Sequence, residues 1–195
     1  MVVDFGRPRD PRIDAAVLSA TVELLGETGY PGLLVSAIAE RAGTSKPAIY
    51  RRWPSKAHLV HEAVFPIGAA TDIPDTGSLP EDLREMVRRA MTFLTTPAAR
   101  AALPGLVGEM AADPTLHSAL LERFAGIIGG GLAELLQRAA ARGEVRADVT
   151  PTELASQLTE AIAGITLLGL LTRPAELDDT WVDRTTTLLL KGITA

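Results

Sequence analysis

Cysteine is absent from the 195 residues. Disulfide frameworks, thiolate metal sites and cysteine nucleophiles are therefore excluded. Aromatic residues are scarce, with Phe, Trp and Tyr together making 4%, and no period-2 alternation is long enough to suggest a strand. The most apolar run, Ala161 to Leu171, is interrupted by Gly164, Thr166 and Gly169. It is too short to cross a bilayer, and no stretch reaches the roughly 18 consecutive apolar residues of a spanning helix. The opening MVVDFGRPRDPR lacks the apolar segment of a signal peptide. The expectation is a soluble, cytoplasmic protein with no membrane partner.

What the chain has is aliphatic. Hydrophobic residues make up 47%, enough for a substantial core. Ala and Leu are the commonest residues, which favours helix. The net charge of −5 argues at first against a nucleic-acid partner. Its distribution argues otherwise. Residues 1–61 hold eight Lys or Arg against six Asp or Glu, and the rest holds eleven against eighteen. Between Arg41 and His61 lie five basic residues, Arg41, Lys46, Arg51, Arg52 and Lys56, and no acid. A basic segment thus sits on an acidic body.

Helix signals divide the chain. A first helix is expected from Pro11 to about Thr28, capped by Asp10, striped by Ile13, Val17, Ala20 and Leu24, and stopped by Gly29. Short helices follow at about Leu34–Ala42 and Ser45–Trp53, and a fourth opens after Ser55 and runs to Phe65. Residues 66–80, rich in Pro, Gly, Asp and Thr, read as a linker. The expected domains are 1–65 and 66–195. In the second, helices are expected at about Glu81–Thr95, Ala98–Ala112, Thr115–Arg142, Thr152–Thr172 and Asp179–Lys191. The fold class is all-α, with about nine helices.

The segment from Val35 to Tyr50 has helix-turn-helix spacing. Two short helices crossing steeply need a small residue at the contact, which is Ala39, and a turn residue that accepts positive φ, which is Gly43. Ile49 then buries against the first helix, with Ile38 and Ala42 completing the seam. On the second helix, Ile49 and Trp53 share an inward face, and Lys46, Pro47, Tyr50 and Arg51 fall on the other. An aromatic flanked by cations makes sense where it meets phosphates and base edges. Ser45 is placed to cap this helix and, with Thr44, to present backbone donors to an anion.

The run Ala39-Glu-Arg-Ala-Gly-Thr-Ser-Lys-Pro-Ala-Ile-Tyr-Arg-Arg-Trp-Pro-Ser-Lys56 resembles the signature of the TetR (tetracycline repressor) family of transcriptional regulators. The similarity covers about Ile13 to Val60. It implies that Thr44, Ser45, Lys46 and Pro47 approach base edges in the major groove. Tyr50, Arg52 and Lys56 would hold phosphates, Arg51 either, and Ser36 the backbone across the groove. The family often has hydroxyl residues where this chain has Leu33 and Leu34, which removes a side-chain cap from the second helix and leaves Gly32 as the candidate cap. The basic arm Gly6-Arg7-Pro8-Arg9 reads either as a minor-groove contact or as a solubilising tail.

The resemblance also implies a C-terminal effector-binding and dimerisation domain. Leu154, Leu158, Ala161, Ile162, Ile165, Leu168 and Leu171 form an apolar surface wider than one buried stripe demands, and Trp181, Leu188 and Leu189 offer a similar face on the last helix. Two such helices per chain would build a four-helix bundle, setting the reading helices of a homodimer roughly 34–36 Å apart on a near-palindromic double-stranded operator. The alternative is that these faces only complete a monomeric core. For a small, mostly hydrophobic effector, the candidate ligand-binding residues are Met86, Met91, Phe93, Met110, Leu120 and Phe124.

Other constellations carry less. His58 and His61 have metal-ligand spacing but no convincing third ligand, and read as two exposed histidines. Gly129-Gly130-Gly131 lacks the Lys-Ser/Thr of a phosphate loop, and reads as a kink or a close-approach site in a long helix. No serine has a histidine and an acid at recognisable spacing. No metal, cofactor or catalytic set is expected, so the chain is read as a ligand-responsive repressor rather than an enzyme. A module that has traded DNA for a protein partner is the remaining alternative.

Overall fold

The computed structural model describes residues 11–66 and 75–194, with the side chains of these apart from 119–121 and 123–128. The described residues form nine α-helices and one 3₁₀ turn, with no strand among them. Asp10 and the arm at Gly6-Arg7-Pro8-Arg9 lie outside the described residues, as do 67–74 of the expected linker.

Helix α1 (Pro11–Gly32) buries Val17, Ala20, Thr21, Leu24 and Leu25, the one-sided stripe of a helix on a core. The Thr21 hydroxyl is satisfied internally by the Val17 carbonyl at 2.7 Å. Gly29, at φ 65° and ψ 175°, interrupts the helix where the sequence signal put its end. A last turn then delivers Tyr30 into the core. Helices α2 (Val35–Arg41), α3 (Lys46–Tyr50) and α4 (Lys56–Val64) complete the head. Ser55 caps α4 by accepting from the His58 N–H at 3.3 Å.

In the body, α5 (Leu79–Leu94) buries Leu79, Leu83, Met86, Val87, Ala90 and Leu94 along one face. Helix α6 (Pro97–Ala112) is capped by Thr96 and α7 (Pro114–Ala141) by Asp113. Helix α8 (Pro151–Thr172) has a reciprocal capping box between Thr150 and Glu153. Helix α9 (Asp179–Ile193) is capped by Asp178, after the 3₁₀ turn Pro174–Glu176. Pro lies in the first turn of α5 through α8, where its missing donor costs nothing.

Helix α5 is the hub, packing on α6, α7, α8 and α9. It is tied to α9 by Arg84–Asp183 at 2.5 Å and Arg88–Asp179 at 3.2 Å. The longest pairing is α7 on α8. Head and body are not separated in space, since α1 and α4 both lie on α6.

Four expectations change. The cap of α2 is Leu34, with no side-chain bond, rather than Gly32. Leu34 itself is 61% exposed. The helix α7 runs through Gly129-Gly130-Gly131 without interruption. His61 is buried rather than exposed, its ring 5.3 Å from that of Phe65. Finally, α8 is long and apolar enough, by length and composition, to cross a membrane. Its face at Leu154, Leu158 and Ile162 is packed inside the protein, while Leu168 and Leu171 near its end are exposed.

Candidate nucleic-acid interface

The turn between α2 and α3 is built from local bonds. Gly43, at φ 64°, stands just past the end of α2. The Thr44 N–H reaches the Ala39 carbonyl at 2.9 Å and the Gly43 N–H the Glu40 carbonyl at 3.2 Å. This is a Schellman stop, and a Cβ at Gly43 would be strained by the backbone angle. Ser45 then opens α3, its hydroxyl accepting from the Ala48 N–H at 3.3 Å. A five-residue helix has little stability of its own. It is held by burial of Ile49, 1% exposed, against Ile38 and Ala39 of the seam. Trp53 behind it is buried and donates its indole N–H to Glu62 on α4 at 3.1 Å.

With that side anchored, the other faces solvent. Ser45, Lys46, Pro47 and Arg51 are exposed, and Tyr50 is 44% exposed despite its size. Thr44 is half-buried in the turn, and Ser36 is exposed on the first turn of α2. Among the described residues no acid pairs with Lys46 or Arg51.

The remaining cations are committed. Arg41 forks onto Glu27 of α1 at 2.5 and 3.1 Å, and the guanidinium holds that carboxyl below its ordinary range. Arg52 turns back to pair with Asp14 of α1, leaving its side chain 17% exposed. In that position Arg52 braces the end of α3 against α1. Lys56 is half-buried, donating to the Tyr30 carbonyl at 3.1 Å with its ammonium 4.1 Å from the Tyr30 ring centroid. The acids that neutralise Arg41 and Arg52 both come from α1, which is why the stretch from Arg41 to His61 looks more basic in sequence than it is in space.

A second candidate site lies in the body. An apolar cavity of about 170 Å³ opens between α4, α6 and α8, with Phe65, Leu106, Met110 and Leu167 in its wall and His61 as its polar group. Among the six residues expected to bind ligand, Met110 lines it. Met86 is instead wholly in the core, and Met91 and Phe93 are half-buried. Phe93 packs on Phe65 at 5.2 Å between rings. Leu120 and Phe124 lie outside the residues whose side chains are described. Neither His61 nor Phe65 was expected here from the sequence, although their i, i+4 spacing at the end of α4 puts them on one face. Among the described residues no group of three His, Asp or Glu could hold a metal ion.

A reading helix with a basic, aromatic outer face on a helical body defines a helix-turn-helix DNA-binding protein. The comparisons agree. Residues 17–63 match the family described as bacterial regulatory proteins of the tetR family, and residues 73–189 the tetracyclin repressor-like C-terminal domain. The chain is 32% identical over 193 residues to the HTH-type transcriptional regulator YdeS of Bacillus subtilis, covering 97% of this chain and 94% of that protein. It is 32% identical over 175 residues, 87% of each chain, to the DNA-binding transcriptional repressor TetR of Mycobacteroides abscessus. Among solved structures, the TetR-family regulator SCO0332 superposes with a TM-score of 0.70 at 31% identity, covering 94% of this chain and all of that one. A regulator from Mesorhizobium loti superposes with a TM-score of 0.71 over 97% of this chain and all of that one, at 20% identity. The chain belongs to the TetR family of bacterial transcriptional regulators, and is a regulator rather than an enzyme.

Proposed function

We propose that the chain is a repressor that binds a near-palindromic operator as a homodimer and is released by a small, mostly apolar effector. One observation carries the DNA reading: Lys46, Pro47, Tyr50 and Arg51 project outward from a helix anchored from behind by Ile49 and Trp53. Thr44, Ser45, Lys46 and Pro47 are assigned to base edges. Ser36, Tyr50 and Lys56 are assigned to phosphates, and Arg51 to either. Residues 1–65 are taken as the DNA-binding domain and 66–195 as the effector-binding and dimerisation domain. The repressor named among the relatives supports the sign of regulation.

The dimer reading is supported by surplus apolar surface. Leu154, Leu158 and Ile162 of α8 are consumed by the chain's own core, yet Leu168, Leu171 and Leu188 are left 61%, 55% and 63% exposed. Leu168 and Leu188 border a groove between α8 and α9 with Ile165 and Trp181. A two-fold partner would cover such a stripe. The effector reading is supported by the cavity at Phe65, Leu106, Met110 and Leu167. Its size compares with the about 150 Å³ that admits benzene in an engineered apolar cavity, which points to a compact uncharged molecule. Occupancy would release DNA only through unequal affinity for the two states.

The test is a gel-shift titration against the region upstream of the chain's own gene at several salt concentrations. Specific retardation with a steep salt slope is expected. Equal affinity for that region and for mixed-sequence duplex would defeat the proposal.

A further inference from the structure

We propose that Tyr30 is a positioning residue for DNA binding: wedged against Gly105 of α6, it fixes the Lys56 ammonium at the edge of the head for a phosphate. The inference rests on the reading that Lys56 meets DNA. It concerns a residue that the DNA-facing surface does not include, since Tyr30 is buried.

Two contacts hold Lys56, and one residue makes both. The ammonium donates to the Tyr30 carbonyl at 3.1 Å and lies 4.1 Å from the centre of the same residue's ring. A lysine ammonium has three donors, so the carbonyl leaves others for a phosphate oxygen. A free lysine on four flexible methylenes must be immobilised when it binds. Here that immobilisation is already done in the protein.

The seat itself is set by the body. A Cβ built on Gly105 would fall 2.1 Å from Tyr30 Cδ1, 2.5 Å from Cγ and 2.7 Å from Cε1. Three adjacent ring atoms at such similar distances mean that the α6 backbone meets the face of the ring, not its edge. No side chain larger than hydrogen fits between them. Glu109, one turn further along α6, stands by the phenol, and burial first and then this carboxylate push the phenol's pKa upward. The ring is thus neutral and fixed from the α6 side, and Lys56 is fixed by the ring.

The test is a double-mutant cycle in the full-length protein, read as affinity for a mixed-sequence duplex by fluorescence anisotropy across salt. Tyr30→Leu should weaken binding by up to about thirty-fold per head, the equivalent of immobilising one lysine side chain. It should have almost no further effect in the Lys56→Met background, and Tyr30→Phe, which keeps ring and carbonyl, should bind like the parent. Equal losses from Tyr30→Leu in both backgrounds would overturn the positioning role, since a merely structural Tyr30 does not depend on Lys56. A Lys56→Met protein with unchanged affinity and unchanged salt slope would instead overturn the reading of Lys56 as a phosphate contact. A measurement on the unaltered sequence guards against a variant that fails to fold. After ¹³C-methylation of the lysines, Lys56 should show an upfield ring-current shift, and a resonance among those of exposed lysines would overturn the proposal by itself.

Discussion

Replacing Arg52 by alanine separates a brace from a phosphate contact. Arg52 is paired with Asp14, and the two side chains are 17% and 33% exposed. Exposed pairs contribute about 0.2–1 kcal/mol, and breaking a fully buried pair costs about 3–5 kcal/mol. The burial of this pair lies between those limits, so Arg52→Ala should destabilise by roughly 1–3 kcal/mol. For a chain of this length that lowers the melting temperature by roughly 2–12 °C. Asp14→Ala should cost a similar amount, and the double variant less than the sum, because once one partner is gone the other has nothing left to lose. DNA binding gives the discriminating readout. A lost phosphate contact would reduce the slope of log affinity against log salt by about 0.9 per contact, whereas loss of a brace leaves the slope as it was. Thermal unfolding and duplex titrations across salt measure both quantities on the same preparations. A fully stable Arg52→Ala protein with a reduced slope would refute the reasoning and restore Arg52 to the DNA.

Other outcomes follow from the same geometry. Lys46→Ala should cost about 1–3 kcal/mol of discrimination between operator and mixed-sequence duplex, measured as the ratio of the two affinities. Ser45→Ala removes the α3 cap, and should lower stability by roughly 1 kcal/mol in denaturant titrations. The double variant Leu168→Glu, Leu188→Glu should sediment as a monomer at micromolar concentration, whereas an unchanged dimer would move the interface away from α8 and α9. Glu27, Glu85, Glu144 and Asp183 each have a pKa lowered chiefly by an arginine partner: Arg41, Arg89, Arg142 and Arg84. Because the folded values lie below the ordinary 4.5 for Glu and 3.8 for Asp, their stabilisation is complete above those values and is lost as pH falls through the lowered ones. Melting temperature should hold from neutrality to about pH 5 and fall below it, and Glu144→Gln should flatten that fall.

Legibility in the sequence tracked the range of the interactions. The turn at Gly43, the Ser45 and Ser55 caps and the outward face of α3 were readable because each depends on residues within about one helical turn. The body helices were placed closely from their composition, while the caps that open them, Thr96, Asp113, Thr150 and Asp178, emerged only in the structure. The charge of the head was overcounted, since Asp14 and Glu27 neutralise Arg52 and Arg41 across helices. Methionine was a poor guide to the cavity. Met86 has the same composition cue as Met110, and only packing put one in the core and the other on the wall.

Local spacing alone therefore determined the all-α fold, the helix-turn-helix and which side of its second helix turns outward. Those features are set by φ preferences, caps and the 3.6-residue repeat, all of which operate over short stretches of chain. Tertiary structure alone decided which cations stay available to DNA, where the apolar cavity opens and how Tyr30 comes to lie on Gly105. Each of those depends on helices distant in sequence meeting at van der Waals distance, and a one-dimensional pattern does not specify which helices meet.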